Sequence, residues 1–133
     1  MVFWDACAVI YFVEGASPWV DRLVTLLDRL DRQHTGHVVS ELSLLECRIK
    51  PLREQDAATL ALYERFFTRR DLIHMPVSRE IVLEAARLRA ALGLKTPDAL
   101  QAATALSLPG EVAFLTNDRA FARVPGLTPE LIG

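Results

Sequence analysis

Cysteine is scarce in this chain: Cys7 and Cys47 are the only two in 133 residues. Their separation offers neither a disulfide framework nor the paired spacing of a zinc site. Both are expected as buried free thiols. Lysine is equally rare, since Lys50 and Lys95 stand alone among fifteen basic residues. The rest are arginines, which suit bidentate contacts with phosphate or with carboxylate. Neither sign of charge dominates: fifteen basic and seventeen acidic residues leave a net charge of −2. That excludes a protein held on nucleic acid by bulk electrostatics. It does not exclude a local site, because gathering four acids around a cation would leave the remaining surface at +2. No apolar run approaches the length of a membrane span, and Asp5 breaks the first apolar stretch. Neither a membrane anchor nor a secretory signal is expected, and the cytoplasm is the expected compartment. Repeats, linkers and low-complexity segments are absent too, so residues 1–133 read as one domain. With 51% apolar residues, the chain can fill a core.

What is present is an alternation of short apolar runs with longer amphipathic stretches. Val2-Phe3-Trp4 reads as a buried strand ending on Asp5, and Ala6 to Val13 as a helix stopping near Gly15. Ser17 and Pro18 open a second helix with Trp19, Val20, Leu23, Val24, Leu27 and Leu30 on one face. His37-Val38-Val39 is a second strand, followed by a helix from Ser40 to about Lys50 that Pro51 should end. A helix from Glu54 to Arg70 follows, its aromatic face reading as core or subunit contact rather than a base-stacking platform. Leu72 to Met75 is a third strand; Ser78 caps and Gly93 closes the next helix. Thr96 is the expected N-cap of a further helix, with Pro97 at its first position. Val112 to Leu115 is a fourth strand, continuous and apolar like a parallel strand covered on both faces, and the tail holds room for a short fifth. Strands alternating with helices predict an α/β fold: a three-layer α/β/α domain around a parallel sheet of four or five short strands.

Four acids stand at the ends of these apolar segments. Asp5 and Asp118 follow the first and fourth strands, where open α/β sheets bind ligands. Asp98 opens a helix whose Ala102 and Ala105 lie within about 40° of it on the helix surface. The acid therefore heads a stripe of methyl groups. Glu46 falls on what a helical wheel gives as the core-facing stripe of its helix, beside Leu42, Leu45 and Ile49. Each acid also has a plainer explanation. Asp98 serves the helix dipole in a first turn, Asp118 fits a turn or cap, and Ser43-x-x-Glu46 fits a capping box in a helix beginning three residues later. Taken together, like charges crowded into one pocket require a cation, and an all-oxygen set selects Mg²⁺ or Mn²⁺. His34 and His37 form an H-x-x-H without a third ligand nearby, which does not make a metal site.

Val2-Phe3-Trp4-Asp5-Ala6-Cys7, Ser40-Glu41-Leu42-Ser43-Leu44-Leu45-Glu46, Lys95-Thr96-Pro97-Asp98-Ala99-Leu100 and Leu115-Thr116-Asn117-Asp118-Arg119-Ala120-Phe121 together resemble a PIN domain of the VapC toxin type. The resemblance spans essentially the whole chain, in order and in spacing. It implies a PIN-like ribonuclease, usually a homodimer, neutralised by a small antitoxin encoded beside it. It implies Asp5, Glu46, Asp98 and Asp118 as catalytic, metal-holding acids, with Thr116 in support. Gln101 stands where many relatives carry His, and Asn117 supplies no fifth acid.

The implied activity is hydrolysis of RNA phosphodiester bonds assisted by Mg²⁺ or Mn²⁺. Asp5, Glu46 and Asp98 are expected around the principal ion, with Asp118 at a second position or orienting a water. Arg48, Lys50, Arg53, Arg119 and Arg123 flank the acid-bearing segments and are the candidates for RNA phosphate contacts. Two rivals belong to other classes. A non-catalytic module would use the acid pocket to receive basic residues of a partner. A Mg²⁺-dependent phosphoacceptor domain would want paired acids after the first strand and a lone Asp after the third, where this chain has Met75-Pro76-Val77.

Overall fold

The alternation of period-2 and helical stretches folds into one sheet covered on both faces. A computed structural model describes residues 1–133. The strands are β1 (Val2–Trp4), β2 (His37–Ser40), β3 (Leu72–Met75), β4 (Ala113–Thr116) and β5 (Thr128–Leu131). The helices are α1 (Ala6–Glu14), α2 (Trp19–Leu30), α3 (Leu42–Arg53), α4 (Ala57–Phe67), α5 (Arg79–Leu92) and α6 (Thr96–Leu106), and a 3₁₀ turn spans Arg119–Arg123. The sheet order is β3-β2-β1-β4-β5 and every pairing is parallel. The chain therefore runs outward from β1 to β3, then returns to lay β4 on the other side of β1. That reversal opens a crevice between β1 and β4 at their carboxyl ends.

Alternation along the strands divides the core. Val2, Trp4, Val39 and Leu115 face the layer of α1, α2 and α4, packing with Leu23, Leu30, Tyr63 and Phe66. Phe3, Val38 and Phe114 face α5 and α6 and the 3₁₀ turn, packing with Ile81, Leu88, Ala102 and Phe121. Phe3 and Phe114 stack at 5.3 Å across neighbouring strands. The aromatic face of α4 is core: Tyr63, Phe66 and Phe67 are all buried. The alanines of α6 lie against this second core as a surface of methyl groups, which permits close approach to α5.

Several local expectations shift. Ser40 ends β2 rather than opening a helix, and its hydroxyl accepts from Leu42 N at 3.1 Å. Ser43 then lies inside α3 and cannot be the N-cap of a capping box. Pro51 does not stop α3, which runs to Arg53; in a last turn a proline removes only one intrahelical bond. The following helix is shorter than expected at both ends, because Asp56 caps it through Thr59 N at 3.0 Å. Lys95, not Thr96, occupies the N-cap of α6, placing Pro97 one position further in. The core-facing stripe of α3 is also different. Leu45 is 58% and Ile49 45% exposed, while Ser43, Cys47 and Pro51 are buried. Ser43 faces Gln101 of α6 and Cys47 joins the core with α1 and α4, while Leu45 and Leu52 are left outside.

Candidate active site

Asp5 sits where β1 becomes α1 and serves both elements. Its backbone N–H extends the pairing with β4 by donating to Leu115 O at 3.1 Å. Its carboxylate is the N-cap of α1, with Oδ1 accepting from Ala8 N at 3.1 Å. The thiol of Cys7 donates to the same oxygen at 3.0 Å. Thr116, at the end of β4, donates its hydroxyl to Oδ2 at 2.5 Å. Asp5 is thus a buried carboxylate with each oxygen held by this chain.

The other three acids arrive from different elements. Asp98 comes from the first turn of α6, half-buried. Glu46 comes from α3, also half-buried, its Oε1 accepting from Gln101 Nε2 at 2.9 Å. Asp118 is exposed and caps the 3₁₀ turn through Ala120 N at 2.9 Å, while its own N–H donates to Thr116 Oγ1 at 3.0 Å. Asp5, Glu46, Asp98 and Asp118 share the wall of one pocket of about 280 Å³ with Gln101 and Cys7. The pocket lies at the carboxyl edge of the sheet, over the crevice between β1 and β4. A larger cavity of about 500 Å³ lies at the opposite, amino edge, where His34, Glu111 and Glu130 are its ionisable side chains. Its acids do not converge with the four above.

Electrostatics mark the acid pocket as strained in charge. Burial pushes the Asp5 carboxyl above its ordinary range, against the hydrogen bonds it accepts from Cys7, Thr116 and Ala8. Burial likewise raises Glu46, with Gln101 pulling the other way and the charges of Asp5 and Asp98 adding to the rise. Asp98 is raised by burial, then by Asp118, with Lys95 opposing. No basic side chain lines the pocket. The Cys7 thiol is pushed far up by burial and by Asp5, so it is a neutral donor rather than a thiolate.

Divalent cations are the natural complement of this wall. Every charged donor is a carboxylate oxygen, the set that hard ions take. No three His, Cys, Asp or Glu side chains stand close enough to grip one ion directly. Mg²⁺ does not demand that, since it keeps several waters and is bound through one or two carboxylates. Behind the wall, Gln101 Oε1 is buried and no protein donor reaches it. The donor set therefore fits a hydrated ion.

The basic candidates are not in this pocket. Arg48 turns toward α4 and lies 3.5 Å from Glu64. Lys50, Arg53, Arg119 and Arg123 are exposed, Arg119 and Arg123 following directly on Asp118. His37 bonds Trp4 Nε1 at 3.0 Å and pairs with Asp31, and His34 lies against the N-terminal amine, so the H-x-x-H pair does not close on a common point. Ser43, Gln101 and Cys7 join the site as partners of acids, a role that the sequence does not assign them; they stand at spacings of three from Glu46 and Asp98 and of two from Asp5.

The family model described as PIN domain matches residues 2–127. No curated protein matches the sequence. Among solved structures, the fold is similar to a chain of VapBC2 from Rickettsia felis bound to a DNA fragment from their promoter, with 19% identity, TM-score 0.77 and 98% of each chain covered. It is similar to a chain of DNA-bound VapBC from Salmonella typhimurium, with 20% identity, TM-score 0.74 and coverage of 99% and 98%. A toxin-antitoxin complex from Klebsiella pneumoniae contributes a third, at 19% identity, TM-score 0.66 and 96% of each chain. At such identities the likeness is one of fold.

Proposed function

The chain belongs to the PIN-domain family, and on that premise we propose that it is a metal-dependent endoribonuclease serving as the toxin of a toxin–antitoxin pair. The observation that carries this reading is the meeting of Asp5, Glu46, Asp98 and Asp118 in one pocket whose wall holds no basic side chain. Residues 1–133 would form a single nuclease domain, acting in the cytoplasm.

Asp5, Glu46 and Asp98 would hold a hydrated Mg²⁺ or Mn²⁺ among them, in part through its waters, with Asp118 at a second position or orienting water. When bound, the ion supplies Lewis acidity toward a phosphodiester and offsets charge developing on its oxygens. Everything else falls to the chain itself. Thr116 and Cys7 keep Asp5 in one rotamer by holding its two oxygens. Asp118, exposed at the rim, would orient an entering water. Arg119 and Arg123 flank that rim and Lys50 and Arg53 end α3, so these four are the phosphate contacts we favour. Arg48 is occupied by Glu64.

A small antitoxin and a second copy of the chain are the proposed protein partners. The similar structures are VapBC and toxin-antitoxin complexes, and this chain leaves Leu45, Ile49 and Leu52 exposed along α3. An apolar ridge of that kind supports a covered face.

RNA ends are sequenced after incubation with the purified protein in Mg²⁺, in EDTA, and with Asp98→Asn. New ends confined to the Mg²⁺ sample of the parent are expected. Identical end profiles in all three would reject the nuclease and leave an acid pocket that only binds.

A further inference from the structure

Gln101 is 2% exposed, yet it belongs to the wall of the acid pocket. It lies one helical turn beyond Asp98 on α6, so both side chains leave the same face of that helix. Its amide nitrogen donates to two residues of α3, Ser43 Oγ at 3.0 Å and Glu46 Oε1 at 2.9 Å. Ser43 and Glu46 are themselves three apart and share a face of α3. The amide therefore ties the two helices together where each delivers an acid.

The orientation of that amide is set by its neighbours. An ionised carboxylate can only accept, so Glu46 must face the NH₂ end. Both amide hydrogens are then consumed, and Oε1 is turned away from α3. No protein donor reaches it. A buried amide oxygen without a donor is a rare and unfavourable arrangement in a folded protein. The other polar groups of that wall are carboxylates and a thiol already committed to Asp5, so none of them can serve it.

Resting on the reading of this pocket as a cation site, the geometry points to Gln101 as its positioning residue: the amide nitrogen, anchored on Ser43, holds the Glu46 carboxylate toward Asp5 and Asp98. Gln101 acts through Glu46 and does not itself supply a charge. The arrangement has a simple consequence for substitution. A side chain of equal length without the amide keeps the packing of α6 but frees Glu46 to turn.

The test is a double-mutant cycle read by Mn²⁺ calorimetry, with RNA cleavage measured separately. Gln101→Met preserves length and apolar packing, and its circular dichroism and melting confirm the fold. It is expected to weaken Mn²⁺ binding about tenfold, the scale usual for groups that orient ligands. In a Glu46→Gln background the same substitution is expected to change nothing further, because the group it acts through is gone. In the metal-free parent, the side-chain amide protons of Gln101 should exchange slowly and shift on Glu46→Gln. Unchanged Mn²⁺ affinity in Gln101→Met, or an equal loss in both backgrounds, would overturn the assignment while leaving the nuclease standing. Mn²⁺ binding that depends on Gln101 without any RNA cleavage would uphold it and reject the nuclease. A parent that binds no Mn²⁺ would overturn both.

Discussion

Thr116 and Asp5 meet across adjacent parallel strands, hydroxyl to carboxylate oxygen at 2.5 Å, both buried. The register places them there: Trp4 pairs with Leu115, so the residues that follow each strand emerge side by side. Thr116 also accepts from Asp118 N at 3.0 Å, so one hydroxyl fixes the positions of two of the four acids. It can do both because a hydroxyl donates once and accepts as well.

Removing that hydroxyl without changing the volume should expose its contribution. Thr116→Val leaves Asp5 Oδ2 without its donor and Asp118 N–H without its acceptor. A stability loss of about 1–3 kcal/mol is expected from the unsatisfied buried groups, together with a loss of Mg²⁺-dependent cleavage of about 10–100-fold. Thr116→Ser restores the hydroxyl and should recover most of the activity. Urea unfolding and cleavage rates of the two variants check this; full activity in Thr116→Val would mean that Asp5 is held adequately by Cys7 and Ala8.

Acid crowding makes the metal-free protein sensitive to pH in a defined direction. Asp5, Glu46 and Asp98 all have carboxyl groups raised in the folded state, chiefly by burial. The folded protein then binds more protons than the unfolded chain. Their contribution is most favourable below the unfolded carboxylate range and is lost as pH rises through the raised values. The exposed Asp56, Asp71 and Glu84 are lowered by their hydrogen-bond partners and act oppositely, losing their contribution only as pH falls below the ordinary carboxylate range. In EDTA the melting temperature should therefore fall as pH rises above the ordinary carboxylate range. Mn²⁺ should restore it at the upper end, since the ion binds only the folded pocket. Asp98→Asn removes one of the three acids and should flatten the slope. A parent profile that rises steadily to pH 8 in EDTA would contradict this.

The sequence was readable where chemistry is local. Asp5 and Asp118 could be placed at strand ends because Val2 to Trp4 and Val112 to Leu115 are short apolar runs, each followed within three residues by an acid. The parallel sheet followed from the alternation of strands with helices, and β5 at Thr128–Leu131 settles the strand number at five. Glu46 does reach the pocket, but the helical wheel that predicts this puts the apolar stripe of α3 inside, and the structure does not. Leu45 and Ile49 point out, and the true inner face is Ser43, Cys47 and Pro51. Hydrophobicity alone misleads there, because a serine, a cysteine and a proline hold the inner face while bulkier apolar residues lie outside. The Gln101–Glu46 contact joins residues 55 apart and depends on how α3 and α6 cross, which no local pattern encodes.

The arginines offer a contrast within one charge class. Arg48 is half-exposed and spent on Glu64 at 3.5 Å, whereas Arg119 and Arg123 stand on the 3₁₀ turn that begins at Asp118, with no acidic partner. If RNA runs across that rim, each of the latter neutralises a phosphate and releases a counterion. Arg119→Ala and Arg123→Ala should then each lower the slope of log affinity against log salt by about 0.7, the value for single strands. Arg48→Ala should leave slope and affinity nearly unchanged, because Arg48 turns toward Glu64 on α4 and not toward the Asp118 rim. Fluorescence anisotropy with a labelled RNA oligonucleotide, in an Asp98→Asn background that prevents cleavage, measures all three. A slope that responds to Arg48 and not to Arg119 or Arg123 would move the phosphate track from the Asp118 rim to the outer face of α3.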